Sequence, residues 1–389
     1  MNMDKFNLFL IMCVFLLSGC SGRQKENLQS DCIVIQVPSL EIDSVFDLPT
    51  FSKESFYVKL ATEDSCLVGK INKMFYIKGH IVIGSDNNVI LFFNKDGTFD
   101  HRIYHQGDAP GEYLRISDFD INKETGVISV LDTRKRQLLR YDWNGNYLSK
   151  NDLNYWSIAV QQLNDSVDVL YSGNQVSQDN GYKFTVYTSK TDKVEHRFSP
   201  IDESKALYLH VHSANNFSKC GSEVLFCELY NDTIYSITSS GCTPRYYLDF
   251  GEGKVPSSFY DTNYANIVEF QKAFQKYGFS YGINSLANLP NGFVASCFLC
   301  MKKCYLYYNQ PLQKVTTFIK LGDKEAFGDF AVDINKHKVK FYSDEEYLFM
   351  IADNDLYMNN ATQVLKGQLG AISLEDNPIV RVCRIGLRK

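Results

Sequence analysis

The chain has 389 residues, enough to bury a large core as one repeat-built domain or as two ordinary ones. Its net charge of -5 lacks the basic footprint that neutralises phosphates, which excludes nucleic acid as a partner. Aromatic residues make up 14% of the sequence and there are only 9 Pro, a balance that favours strands over helices.

Residues 1–19 read as a signal peptide that is removed before folding. Lys5 supplies a thin positive start, and Phe6 to Leu17 is apolar but too short to cross a bilayer as a stable helix. The run ends in Leu17-Ser18-Gly19-Cys20, which resembles a bacterial lipobox. Small residues there give a peptidase access to the backbone, and the Cys20 sulfur takes the lipid. At about 0.8 kcal/mol per buried methylene, two or three acyl chains anchor a protein stably. The expected location is therefore the bacterial cell envelope, lipid-anchored to a membrane without spanning it. Residues 20–31 form a polar tether, and residues 32–389 are expected to form the folded domain. Of eleven Cys, Cys13 leaves with the signal and Cys20 is lipidated, so nine remain. An odd number leaves at least one thiol outside any intramolecular pair.

Strands are predicted at Cys32 to Val37 and between Phe56 and Ile71. A repeat then begins. Val82 to Asp86 followed by Ile90 to Gly97 is matched, at an offset of 48 residues, by Val130 to Arg134 followed by Leu138 to Gly145. Each copy is a strand, a polar turn, a second strand and a closing Asx-x-x-Gly turn. In that turn an Asn or Asp side chain can bond the backbone and Gly supplies positive φ. Weaker copies follow at Val167 to Tyr187, Val224 to Gly241, Phe293 to Asn309 and Val339 to Ile351. Ile116 to Ile121 and Phe330 to Ile334 suit innermost strands. Six hairpin units at a period in the forties predict an all-β, six-bladed β-propeller with four-stranded blades. The period is interrupted by a short inserted helix over 261–278, where Ile267, Phe270, Phe274 and Tyr277 share one face between an Asp261 N-cap and a Gly278 stop. A second helix is predicted around Asn360 to Gly370. The strand from Pro378 to Ile385, or that from Ile33 to Val37, is expected to close the ring by sharing a blade with the opposite terminus.

The linker Gly107-Asp108-Ala109-Pro110-Gly111-Glu112-Tyr113 resembles the G-x-G-P-G-E-Y/F linker of NHL-repeat-like propellers. Together with the lipobox, the Ile116-Ser117-Asp118-Phe119-Asp120-Ile121 run and Asn377-Pro378-Ile379-Val380, it makes the chain similar to the six-bladed propeller lipoproteins of Bacteroidetes. That resemblance implies a fold and a location but no reaction.

Loops between blades line one mouth of a propeller, so Glu112, Tyr113 and Arg115 are the candidate binding residues. His210 and His212 share one face of a strand without a third ligand at a telling distance. His101 and His105 read as a solvated face. Cys297, Cys300 and Cys304 lie among apolar neighbours and read as buried thiols, and Cys220 and Cys227 could bridge a hairpin. The sequence has scattered His and no inward acidic position repeated from unit to unit, so no catalytic residue, metal or cofactor is assigned. The expected function is a ligand- or protein-binding or scaffold module, with an envelope protein, a glycan or a peptide as partner. The alternative is a propeller enzyme, a lyase or lactonase-like hydrolase, with a metal site at the channel mouth.

Overall fold

The computed structural model describes residues 31–52, 54–177, 180–209 and 215–385. The signal segment, Cys20 and the His210/His212 pair lie outside these residues.

The strands form an all-β propeller. The repeated hairpins are the second and third strands of successive sheets: His80–Ser85 with Val89–Asn94, and Ile128–Asp132 with Gln137–Tyr141. Their closing turns follow the turn chemistry. Gly97 and Gly145 sit at φ +90° and +84°, and Asp142 Oδ1 accepts from Asn144 N at 2.9 Å. Four-stranded sheets start from the inner strands Ile71–Ile77, Asp118–Ile121, Ala159–Gln162 and Tyr281–Leu289. A further sheet starts from Phe217–Cys220 and gains Ile33–Gln36 as a fifth strand, parallel to Gly241–Asp249.

The expected count of six blades is corrected to seven sheets among the described residues. Phe330 to Ile334 has the alternation of an innermost strand, but only Val332–Asp333 is extended. It pairs with Lys320–Gly322, which pairs in parallel with Val45–Asp47, giving a small three-stranded sheet. This sheet is wedged against its two larger neighbours through Phe46, Leu321 and Val332, which share one apolar cluster with Phe318 and Phe341. The unit expected sixth therefore begins directly with Lys340–Ser343 and Tyr347–Ile351 as its first two strands.

Ile379–Arg384 is the third strand of that last sheet, and Ser55–Lys59 pairs antiparallel to it as the fourth. The two ends of the chain thus share a blade, which removes the edge that an open ring would leave. Ile33–Gln36, the other strand considered for this role, extends a different sheet.

Helices are few. Ile267–Tyr277 is capped by Asn266, whose side chain accepts from Glu269 N, and ends at Gly278 with φ +66°. The predicted N-cap at Asp261 is five residues early: Asp261 ends a separate short helix, Ser257–Tyr260. Asn supplies the better-placed cap because Glu269, three residues on, returns a bond to Ala265 N at 2.8 Å. The second predicted helix is Gln363–Leu369, preceded by Asn354–Asn360. No helix among the described residues is long and apolar enough to cross a membrane.

The core is divided into wedges between neighbouring sheets rather than gathered in one mass. Phe75, Phe92, Phe119 and Leu139 fill the first, and Val169, Phe184, Val224 and Phe226 fill a later one. Packing here is tight enough to require glycine at Gly84, where a Cβ would lie 2.0 Å from the buried Phe119 ring. Gly84→Ala should therefore cost about 1–3 kcal/mol by overpacking. Denaturant melts would show this against Gly181→Ala, whose Cβ meets nothing within 4 Å and which should change stability little.

Candidate functional site at the channel mouth

The inner strands leave a channel along the propeller axis, and one mouth of it is lined by Lys73, Asp120, Lys123, Gln161, Lys219 and Asp344. The recess holds about 480 Å³ when measured out to open solvent, but only about 30 Å³ is available to the centre of a water molecule. That admits about two or three waters, each needing some 10–15 Å³. The rest is open solvent and gaps too narrow for a water molecule.

The lining is built from ion pairs that join different sheets. Lys73, a lone cation in an apolar strand, places Nζ 2.9 Å from Asp118 Oδ2 of the next sheet. It also donates to Phe119 O at 3.0 Å and Val160 O at 3.2 Å. All three ammonium protons are thus used. Lys123 reaches across to Asp344 at 3.0 Å, and Lys219 to Glu345 at 2.7 Å. Ser218 and Ser343 hydroxyls meet at 3.0 Å.

The carboxylates have a second task. Asp118 Oδ2 accepts from Val160 N at 2.8 Å, and Asp120 Oδ2 accepts from Gln162 N at 2.7 Å and Gln161 Nε2 at 2.6 Å. Asp344 Oδ2 accepts from Tyr76 N at 2.6 Å. Each of these N–H groups lies on the hub-facing edge of an inner strand, where no further strand can pair with it. Burial pushes the Asp120 carboxyl up to about 6, opposed by the Lys73 charge and the Gln162 N–H. Burial drives Asp118 and Asp344 the same way, against the pull of Lys73 and Lys123.

The sequence-derived candidates do not join this site. Tyr113 is fully buried. Its hydroxyl donates to Asn88 O at 2.9 Å and accepts from His105 N at 3.1 Å, and burial raises it to about 12. Glu112 closes its own turn, with Oε2 accepting from Ala109 N at 2.8 Å. Its carboxylate lies where a Cβ on Gly107 would fall, 2.0 Å away. Arg115 is exposed and does not line the mouth. The linker residues come just before the inner strand Asp118–Ile121, whereas Asp120, Ile121 and Lys123 at the strand's other end face the recess. Two acids at i and i+2 in that apolar strand are the signal that could have found it. Asp344 and Lys219 carry no such signal, because only the closed ring brings them near.

His101 and His105 are not a solvated face: they bond the closing turn of the next sheet, through Trp143 O and Gly145 O at 2.9 Å each, and stack on Phe92 and Tyr141. Cys297 and Cys304 are buried, but Cys300 is exposed at the hairpin tip. Cys220 bonds Glu345 O at 3.6 Å rather than bridging to Cys227.

A group with metal-ligand spacing does occur away from the mouth. Ligand atoms of His337, Asp353 and Asp355 lie within 4.8 Å of one another. His337 Nδ1 is 3.1 Å from Asp353 Oδ1, and Asp353 caps the helix Asn354–Asn360. The positive end of a helix opposes a cation there, so the donor set fits helix capping better than metal binding.

Radiating four-stranded sheets around a channel plugged by ion pairs define a β-propeller. Within that class, the family described as a domain of unknown function (DUF4934) matches residues 32–384, and the chain belongs to it. Its fold is similar to the crystal structure of a "putative exported protein" from Bacteroides fragilis. The two share 19% identity with a TM-score of 0.72, over 91% of this chain and 99% of that one. A member of the DUF4221 family from Bacteroides vulgatus is also similar, at 12% identity and a TM-score of 0.50, over 85% of this chain and 96% of that one. At these identities the likeness concerns the fold alone. No curated protein matches the sequence.

Two measurements probe the mouth. Lys73→Met strands Asp118 as an uncompensated buried charge, and should cost about 3–5 kcal/mol in denaturant melts at neutral pH. For Asp120 the folded-state value near 6 exceeds the unfolded one near 3.9, so the folded chain holds the proton more tightly between those values. Its contribution to stability is fully present at low pH and is lost as pH rises from about 4 to about 6, by up to about 3 kcal/mol. Melts of Asp120→Asn across that window should fall less steeply with pH than those of the unmodified chain, and parallel curves would refute the assignment.

Proposed function

We propose that this chain is a lipid-anchored propeller at the bacterial cell envelope that acts as a binding or scaffold module, with Cys20 as its point of lipid attachment. The observation that carries the non-catalytic part is the use of the channel's charged groups. Lys73, Asp118, Lys123, Asp344, Lys219 and Glu345 are spent on one another, and Asp118, Asp120 and Asp344 are spent on strand edges. What they leave admits only a few waters. A partner protein, glycan or peptide would therefore meet the rims and rim loops of the ring rather than enter its axis. The lipobox-like tetrad Leu17-Ser18-Gly19-Cys20 supports the anchor, and the exported description of the Bacteroides fragilis fold neighbour is consistent with that compartment.

Metabolic labelling with palmitate and fractionation of cells carrying the unmodified chain or Cys20→Ser test the anchor. Label and membrane sedimentation in the first, with loss of both in the second, is the expected pattern. Equal labelling of the two chains would reject Cys20. Cross-linking in intact envelopes tests the module, and a chain that stays free of any envelope protein or glycan would count against it.

A further inference from the structure

Three cysteines lie on one hairpin, formed by Gly292–Leu299 and Lys302–Asn309. Cys300 and Met301 make its tip, both with positive φ, 47° and 65°. Cys297 and Cys304 are directly opposite each other across the two strands. Opposed residues in an antiparallel pair point to the same face with Cα atoms about 4.5–5.5 Å apart, within the range of about 4.4–6.8 Å that a disulfide spans. Their sulfurs are already 3.5 Å apart, and both side chains are fully buried in the cluster with Ile283 and Leu306. Bonding would bring the sulfurs from 3.5 Å to about 2.05 Å.

We propose that Cys297 and Cys304 close into a cross-strand disulfide when the chain folds in an oxidising compartment. The oxidant is an organic disulfide, R–S–S–R. One cysteine thiolate attacks it and displaces R–S⁻, leaving a mixed disulfide. The other thiolate then attacks the cysteine sulfur of that mixed disulfide, forming the Cys297–Cys304 bond and displacing the second R–S⁻. The two cysteine protons end on the two released thiolates, so two protein thiols are oxidised and one external disulfide is reduced. Exchange belongs to the open hairpin, because in the folded sheet both sulfurs are shut away from solvent, and the hydrogen bond with Cys304, followed by burial, raises the Cys297 thiol well above its ordinary value.

The bond would pin the floor on which the inserted helices rest. Phe298 stacks on Tyr281 at 5.0 Å, and Met301 N donates to Phe279 O at 3.4 Å. Tyr281 and Phe279 in turn meet Phe274 of the helix Ile267–Tyr277. Cys300, exposed at the tip, has no opposed partner in the hairpin register and stays a thiol.

The test uses the full chain carrying Cys300→Ser, which removes the competing thiol from the same tryptic peptide. It is unfolded in reductant, refolded with reduced and oxidised glutathione, denatured with an alkylating reagent and no reductant, and mapped by mass spectrometry. Trypsin cuts after Lys302 and Lys303, so a Cys297–Cys304 bond appears as two peptides joined until reductant is added. That linkage is the expected result. Alkyl groups on both Cys297 and Cys304, or either joined to another cysteine, would overturn the proposal. The same map of protein isolated from envelopes separates the pair from its compartment: linkage in glutathione but alkylation in the envelope sample would uphold the pair and reject export to an oxidising space.

Discussion

A propeller has a problem at its hub: the innermost strand of every sheet has one edge with no strand to pair with. The polar groups on that edge are removed from bulk water and must find partners. Here side chains of neighbouring sheets supply them. Asp118 and Asp120 take the N–H groups of Val160 and Gln162, Asp344 takes that of Tyr76, and Ser218 takes that of Asn288 at 2.8 Å. Carboxylates in so dry a place are costly unless paired, and Lys73, Lys123 and Lys219 enter for that reason. The charged lining of the channel is thus a consequence of closing the ring. Its bonds run inward to the scaffold.

Closure of the ring by the two chain ends depends on a second buried polar set. Asn377 donates to Ala61 O at 2.6 Å and Cys66 O at 2.9 Å, accepts from Val68 N at 2.8 Å, and its own N–H bonds Thr62 at 2.9 Å. One side chain therefore ties the C-terminal strand to the segment that follows Ser55–Lys59. Arg381, fully buried beside it in sequence, has Nε 3.3 Å from Asp323 and donates to Ser55 Oγ at 3.1 Å. The Tyr57 hydroxyl donates to the same Asp323 carboxylate at 3.0 Å. Both sets include bonds between residues more than 250 positions apart, which form only when the ring is complete. Opening the ring would expose two strand edges and part Arg381 from Ser55 and Tyr57 from Asp323.

A local pattern does not say which neighbour a segment will meet. Glu112 and Tyr113 stand in an inter-blade turn whose Gly–Pro-shaped form takes an acceptor and a buried phenol. His101 and His105 read as solvated in isolation, and become half-buried only because the next sheet presents Trp143 and Gly145 carbonyls. Phe330 to Ile334 alternates as an inner strand should, but its pairing was decided by Lys320–Gly322 and by Val45–Asp47, the latter nearly 300 residues away in sequence. For these histidines and for Phe330 to Ile334 the local pattern was right about polarity and wrong about the neighbour.

Local chemistry was enough to set the repeated hairpins, the Gly-closed turns, the helix face of Phe270 and Phe274, and the all-β propeller class. These depend on side-chain alternation, turn φ values and spacing, which are written within a few residues of where they act. Tertiary structure alone decided that the sheets number seven, that Ser55–Lys59 rather than Ile33–Gln36 completes the last one, and that Lys73, Lys123, Lys219 and their acids converge on one mouth. Those outcomes rest on contacts between residues tens to hundreds of positions apart. No periodicity encodes such contacts, because each sheet meets the hub through a different side chain.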